Sequence, residues 1–290
     1  MRTIKRTKIF SKTFVISNST HDTWNLLITG DRKGIALLWL HGFMGSAADW
    51  KPLVETYFLD FCNILVDLPG HGGSHLNSTS SFPERLNALM EQLQSEGIES
   101  FIPIGYSMGG RVAFHVQNSF PEKCMGLIIL SGAPGLQTET ERQKRVFADD
   151  NLMEKLRRVG FEAFLKEWYS LPLFDDIGAN IDLQEHLITS RSDNQMDQLD
   201  MAIKLMGNGA LPSLWKHLEQ INHPILLVSG VNDSKYCSIN TEMLAYLRKG
   251  RHKILSNAGH AFHLEKPLET AQTIRHFLSE TIEGENSVSN

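Results

Sequence analysis

The sequence predicts an α/β protein: an open, mostly parallel sheet flanked by helices, with a block of helices inserted between two of its strands. Three observations carry that expectation. Apolar runs at residues 34–40, 61–66, 101–104, 125–131 and 224–229 are continuous, as strands buried on both faces of a parallel sheet are. Segments of helical period lie between them. Between the last two runs, roughly ninety residues show no strand pattern and several helical ones.

In chain order, residues 12–17 and 24–29 read as two short strands joined through the polar 18–22, an antiparallel opening at a sheet edge. The run 34–40 ends in His41-Gly42-Phe43-Met44-Gly45, and the run 61–66 in the Gly-rich Asp67-Leu68-Pro69-Gly70-His71-Gly72-Gly73-Ser74. Ser81-Phe82-Pro83-Glu84 opens a helix whose Leu86, Leu89, Met90 and Leu93 share a face, with Gly97 as the stop. The strand at 101–106 runs into Gly105-Tyr106-Ser107-Met108-Gly109 and then a helix. After 125–131 come helices expected at 138–149, 152–159, 161–168, 182–189 and 194–206. The strand 224–229, a short strand at 253–256, a helix over 265–280 and a disordered tail at 283–290 complete the chain. This divides it into a core of residues 1–134 and 216–290 and a helical cap of 135–215. The cap is expected over the carboxyl ends of the strands, where open parallel sheets bind ligands.

With 290 residues, 41% of them hydrophobic, the chain can bury a full core. Its 28 basic and 33 acidic residues give a net charge of -5, which argues against nucleic acid or an anionic membrane as partner. Cys62, Cys124 and Cys237 are scattered, which fits a reduced cytoplasmic setting better than a disulfide framework or a zinc site. No secretory signal is expected, because no apolar run follows the basic Met1-Arg2-Thr3-Ile4-Lys5-Arg6-Thr7-Lys8, and no segment is apolar enough to span a membrane.

Gly-x-Ser-x-Gly between a strand and a helix is the setting of a nucleophile elbow, with Ser107 as nucleophile. A serine hydroxyl needs an imidazole to take its proton, and the imidazole needs an acid to fix its tautomer. Asp233 directly follows the 224–229 strand and His260 the 253–256 strand, so both sit at strand ends on the edge of the sheet that carries Ser107, in the order Ser, Asp, His. Taken singly, Asp233 reads equally as a turn residue and His260 as an ordinary histidine; together, in that order, they read as a triad. His263 is expected to be a wall residue, His41 a brace for its own loop, and His71 and His75 loop residues without metal partners. The backbone N–H groups of Phe43 and Met108 are the candidate oxyanion donors. Arg111 lies one turn into the elbow helix, and Arg145 and Arg191 lie on cap helices. Converging guanidinium groups would hold a polycarboxylate, although the Arg142, Lys144, Arg145 cluster reads equally as a solvated helix face.

These stretches resemble the α/β-hydrolase superfamily along nearly the whole chain. More narrowly, several are similar to the 2-succinyl-6-hydroxy-2,4-cyclohexadiene-1-carboxylate synthases: His41-Gly42-Phe43-Met44-Gly45, Gly105-Tyr106-Ser107-Met108-Gly109-Gly110-Arg111, Pro134-Gly135-Leu136-Gln137, Trp168-Tyr169, Ser190-Arg191-Ser192 and Asp233-Ser234-Lys235-Tyr236. The resemblance implies an α/β-hydrolase fold and the elimination of pyruvate from an enolpyruvyl cyclohexene carboxylate, a step in menaquinone biosynthesis. It implies Ser107, Asp233 and His260 as triad, Arg111, Arg145 and Arg191 as carboxylate ligands, and Tyr106 and Trp168 as pocket lining. It implies no cofactor and no metal. The residues alone leave two alternatives open. One is a serine carboxylesterase or carbon-carbon bond hydrolase with the same triad; the other is a non-catalytic ligand-binding receptor on the same fold. An aspartate nucleophile is excluded because the elbow carries Ser107.

Overall fold

The computed structural model describes residues 12–14, 24–76 and 80–288. Eight strands form one sheet: β1 (Lys12–Phe14), β2 (Leu26–Gly30), β3 (Ala36–Leu40), β4 (Cys62–Val66), β5 (Ile102–Tyr106), β6 (Leu127–Leu130), β7 (Ile225–Gly230) and β8 (Gly250–Leu255), in the order β1-β2-β4-β3-β5-β6-β7-β8. β1 and β2 pair antiparallel, β2 pairs antiparallel with β4, and the rest are parallel. The antiparallel opening at a sheet edge is therefore present, although the turn expected at 18–22 lies outside the described residues. The helices are α1 (Lys51–Tyr57), α2 (Phe82–Ser95), α3 (Met108–Ser119), α4 (Glu139–Trp168), α5 (Asp175–Gly178), α6 (Ile181–Ser192), α7 (Met196–Met206), α8 (Ser234–Leu244), α9 (Phe262–Glu265) and α10 (Pro267–Val288).

Alternation along the central strands produces two cores. In β3, Leu38 and Leu40 face a cluster shared with α2 and α3, while Leu37 and Trp39 face one shared with α1 and α10. Because both faces are covered, β3 and β4 are buried at every position, which is why they read as unbroken apolar runs. A third cluster joins α4–α7 to the core through Met44 and Ala261, with Met153, Leu156, Phe164 and Leu199 at its centre. All of α4–α7 falls between β6 and β7.

The structure corrects several boundaries. The helices expected at 138–149 and 152–159 are one, because Asp149, Met153 and Leu156 continue a single buried stripe at helical spacing. The break comes only at Gly160, with φ 77° and ψ 169°. The last strand is not 253–256 but Gly250–Leu255, placed by its register against β7, Ile225 opposite Gly250 through Gly230 opposite Leu255. The tail expected to be disordered instead continues α10 to Val288. The buried stripe of Ala271, Ile274, Phe277 and Leu278 ties the helix to the core, and once a helix is started each further residue costs little and adds one backbone bond. Helices α1 and α8 were not expected from the sequence.

β8 ends the sheet. Its Lys249 and Leu255 carbonyls accept from Ile225 and Val231 across the β7 pairing, so the alternate residues Gly250, His252 and Ile254 turn their backbone groups to the free edge. No helix among the described residues is long and apolar enough to cross a membrane.

Candidate active site

Ser107 stands between β5 and α3 with φ 52° and ψ −108°, a conformation costly for any residue with a side chain. The turn is held by glycines on both sides of it. A Cβ on Gly105 would lie 2.3 Å from the Gly109 carbonyl oxygen, and one on Gly109 2.2 Å from that of Leu40. This close packing of strand against helix is the physical content of the Gly-x-Ser-x-Gly spacing, and it presents the Ser107 hydroxyl at the carboxyl edge of the sheet.

Asp233 follows β7 and caps α8, its Oδ1 accepting from the Tyr236 N–H at 3.3 Å. Its Oδ2 accepts from the Ser131 hydroxyl at 3.0 Å and from His260 Nδ1 at 2.6 Å. A carboxylate there sets the imidazole tautomer: Nδ1 carries the proton and Nε2 is left as an acceptor, 3.2 Å from Ser107 Oγ. Asp233 and His260 are both buried. The structure thus brings together the three residues that the sequence places at three strand ends. The hydroxyl of Ser131, a residue with φ 45°, is an additional partner of Asp233 that the sequence reading missed.

The loop after β3 approaches Ser107 closely, since a Cβ on Gly42 would lie 3.6 Å from the Ser107 Cβ. Phe43 and Met108 line the cavity beside Ser107. Met108 is the first residue of α3, where helix geometry leaves the N–H without an intrahelical acceptor. His41 braces its loop as expected: the Leu68 N–H donates to its Nε2 at 2.9 Å, and its Nδ1–H donates to the Gly42 carbonyl at 2.7 Å. His263 is a wall residue, its ring 4.2 Å from that of Tyr106 and 4.8 Å from that of Trp50. Burial depresses its pKa to about 3, so it stays neutral. Tyr106 is itself pushed well above the ordinary phenol range by burial and keeps its proton. Trp168 lines the cavity and stacks on Phe164.

The three arginines reach the cavity in three different electrostatic states. Arg111 is buried; its Nη1 makes one long contact, 3.4 Å to the Met206 carbonyl, and its Nε has no partner. Burial, then Arg145 nearby, lowers its pKa from 12.5 to about 10. Arg145 is half-exposed and paired through Nε with Asp149 at 2.7 Å. Arg191 arrives already neutralised: its two terminal nitrogens hold both oxygens of Asp49 at 2.8 and 2.7 Å. Burial opposes both charges, yet the pairing wins, raising the arginine and lowering the carboxyl. Asp49, on the short turn Ala47–Trp50, gave no signal in the sequence. For Lys235 the sequence implies no role. It stands at the cavity rim with its ammonium 5.3 Å from the Tyr236 ring centre, and its pKa is lowered by desolvation and then by Arg145 and Arg111. Arg111, Arg145 and Lys235 thus lie near one another in a lining that also includes the apolar Trp168, Phe174 and Ile203, and of the three only Arg145 has a carboxylate partner among the described residues, Asp149. No group of three or more His, Cys, Asp or Glu side chains able to hold a metal ion is present among the described residues.

Such a site can take a proton through Ser107 and His260, stabilise an oxyanion and hold carboxylates. Comparison with known proteins points the same way. A family profile described as alpha/beta hydrolase fold matches residues 35–267. A putative 2-succinyl-6-hydroxy-2,4-cyclohexadiene-1-carboxylate synthase of Bacillus subtilis is 35% identical over 257 residues, 86% of this chain and 92% of that protein. The 2-succinyl-6-hydroxy-2,4-cyclohexadiene-1-carboxylate synthase of Pectobacterium atrosepticum is 32% identical over 247 residues, 85% and 94% of the two chains. The solved structure of MenH from S. aureus superimposes with a TM-score of 0.83 at 28% identity, covering 91% of this chain and 99% of that one. A thermophilic esterase from Thermogutta terrifontis, at 20% identity and a TM-score of 0.77 over 95% and 99% of the chains, shares the fold alone.

Proposed function

This chain belongs to the α/β-hydrolase family and, within it, to the 2-succinyl-6-hydroxy-2,4-cyclohexadiene-1-carboxylate synthases; from that premise we propose how its residues carry out the reaction. The reaction is the elimination of pyruvate from 2-succinyl-5-enolpyruvyl-6-hydroxy-3-cyclohexene-1-carboxylate, a carbon-oxygen lyase step of menaquinone biosynthesis.

In this reading His260, oriented by Asp233, takes the Ser107 proton, and the Ser107 oxygen removes a proton alpha to the succinyl carbonyl. The electron pair left by that proton moves onto the carbonyl oxygen, where the Phe43 and Met108 amides receive it. As the pair returns it forms the C2=C3 bond, the ring alkene shifts to C4=C5 and the C5–oxygen bond to the enolpyruvyl group breaks. The departing enolate takes up the proton held by His260 to become pyruvate, and the proton taken from the substrate restores the Ser107 hydroxyl. No acyl-enzyme is formed. Arg111, Arg145 and Lys235 hold substrate carboxylates, and Arg191 offers the face that Asp49 leaves free. Tyr106 and Trp168 pack on the ring. Residues 135–215 act as a helical cap over a core of 1–134 and 216–290. Cys62, Cys124 and Cys237 are free thiols, which supports a cytoplasmic enzyme.

The observation that carries the reading is the Ser107–His260–Asp233 chain, at 3.2 and 2.6 Å, opening onto a wall with an unneutralised buried guanidinium. The test is pyruvate release from the enolpyruvyl substrate by the purified protein and by Ser107→Ala. The expected result is rapid turnover by the first and a loss of about 10³-fold or more in the second. Wild-type release no faster than the spontaneous reaction would discard the reading.

A further inference from the structure

The turn that carries the Phe43 amide is a strained one. It spans residues 42–45, closed by the Gly45 N–H on the Gly42 carbonyl at 3.0 Å, and its third residue is Met44 at φ 62°. A non-glycine residue holds that left-handed conformation only at a cost, so neighbouring groups must fix it. Both backbone groups of Met44 are in fact tied to side chains from distant parts of the chain. Its N–H donates to His71 Nε2 at 3.1 Å, and the opposite nitrogen of that ring, Nδ1, donates to the Pro69 carbonyl at 3.2 Å. Its carbonyl accepts from Asn194 Nδ2 at 2.9 Å. The same amide donates to the Arg191 carbonyl at 2.9 Å, which anchors it to the end of α6. A second tie runs alongside: Asp49, bound by Arg191, accepts from the Ser46 N–H at 3.3 Å. Asn194 is not among the residues lining the cavity.

We infer that Asn194 is a positioning residue for the reaction: from the junction of α6 and α7 it holds the Met44 carbonyl, and through that turn it keeps the Phe43 N–H directed at the oxygen where charge develops. The inference rests on the reading of the Phe43 and Met108 amides as oxyanion donors, and it extends that reading to a residue that never meets the substrate. Its kinetic signature follows. Arg111, Arg145 and Lys235 hold substrate carboxylates away from Asn194, and the Arg191 side chain stays fixed by Asp49, so ground-state binding is largely spared, while the transition state loses an aligned donor.

The test uses Asn194→Leu, which removes the amide at similar size, and Asn194→Asp, which keeps the shape but replaces the donor by an acceptor. In both, kcat for pyruvate release is expected to fall about tenfold, the scale of one hydrogen bond, with KM within twofold. Phosphonylation of Ser107 by a neutral aryl phosphonate needs the same donors and no carboxylate contact, so its rate is expected to fall by the same factor. Measurements are made well below each variant's melting temperature. A raised KM at unchanged kcat, or phosphonylation at the wild-type rate in both variants, overturns the inference. A wild-type protein that is phosphonylated but releases no pyruvate sinks the lyase reading instead, and the phosphonate rates of the variants still decide the role of Asn194.

Discussion

Replacing Arg111 by methionine should make the free protein more stable while making the enzyme worse. The guanidinium is 7% exposed, makes one 3.4 Å contact to the Met206 carbonyl, and has an unpaired Nε. The drop of its pKa from 12.5 to about 10 corresponds to about 3 kcal/mol of unfavourable environment for the charged form. Methionine keeps most of the apolar stem and discards the charge, so after subtracting the lost hydrogen bond a gain of about 1–3 kcal/mol is expected. For a chain of 290 residues, unfolding entropy near the melting point makes that a rise of about 2–5 °C. The same substitution removes a charged contact to a carboxylate, worth about 1.5–3 kcal/mol, or about 10- to 150-fold in kcat/KM, expressed mainly in KM. Calorimetric melting at neutral pH and steady-state pyruvate release read the two effects separately. A melting temperature lowered by the substitution would refute the claim that the charge is uncompensated. A kcat/KM within twofold of wild type would remove Arg111 from substrate binding.

Two further outcomes follow from the backbone and from the buried imidazoles. Gly109→Ala would put a methyl group 2.2 Å from the Leu40 carbonyl oxygen and 2.5 Å from that of His41, both backbone atoms, so a loss above about 4 kcal/mol or no soluble protein is expected. Gly97→Ala meets nothing within 4 Å and pays only for its φ of 75°, about 1 kcal/mol; urea midpoints of the two variants that match would refute the steric argument. Burial holds His71 and His263 at about 3 and His115 at about 4, against an ordinary 6.5. The unfolded chain therefore binds these protons first as pH falls. Native stability is unaffected by these groups above pH 6.5 and is lost progressively down to about pH 4 for His115 and about pH 3 for His71 and His263, about 2 kcal/mol for each at pH 5. His263→Phe keeps a ring against Tyr106 and should shrink the loss between pH 7 and 5 by one imidazole's share. An unchanged loss in urea titrations at the two pH values would contradict this.

The parallel strands were legible because burial on both faces leaves no polar position to interrupt an apolar run, as in β3 and β4. Ser107 and Asp233 could be found because each comes after such a run, which fixes the edge of the sheet it occupies, whereas His260 comes after the half-exposed β8 and is marked by its place in the order Ser, Asp, His. Helix α8 escaped notice because its polar residues Ser234, Lys235 and Ser238 blur the stripe made by Tyr236, Asn240 and Met243. Asp49, Ser131 and Asn194 were illegible for another reason. Each is a single polar residue in an ordinary local setting, and its meaning lies entirely in a partner 142, 102 or 150 positions away along the chain. The expectation for Arg191 shows the same limit, since the sequence supplied a cation but not the carboxylate already bound to it.

The flank of β8, which nothing covers among the described residues, bears on behaviour in concentrated solution. Unspent amides and carbonyls at Gly250, His252 and Ile254 could template the addition of another strand, and Ile254 adds an exposed apolar side chain. Lys253, exposed, stands beside them, so two molecules meeting along this flank bring like charges together there, whereas Arg251 is already paired with Glu280. Among the described residues no element covers this margin, so colloidal stability there depends on repulsion, and it weakens in about 1 M salt, where screening reaches about 3 Å.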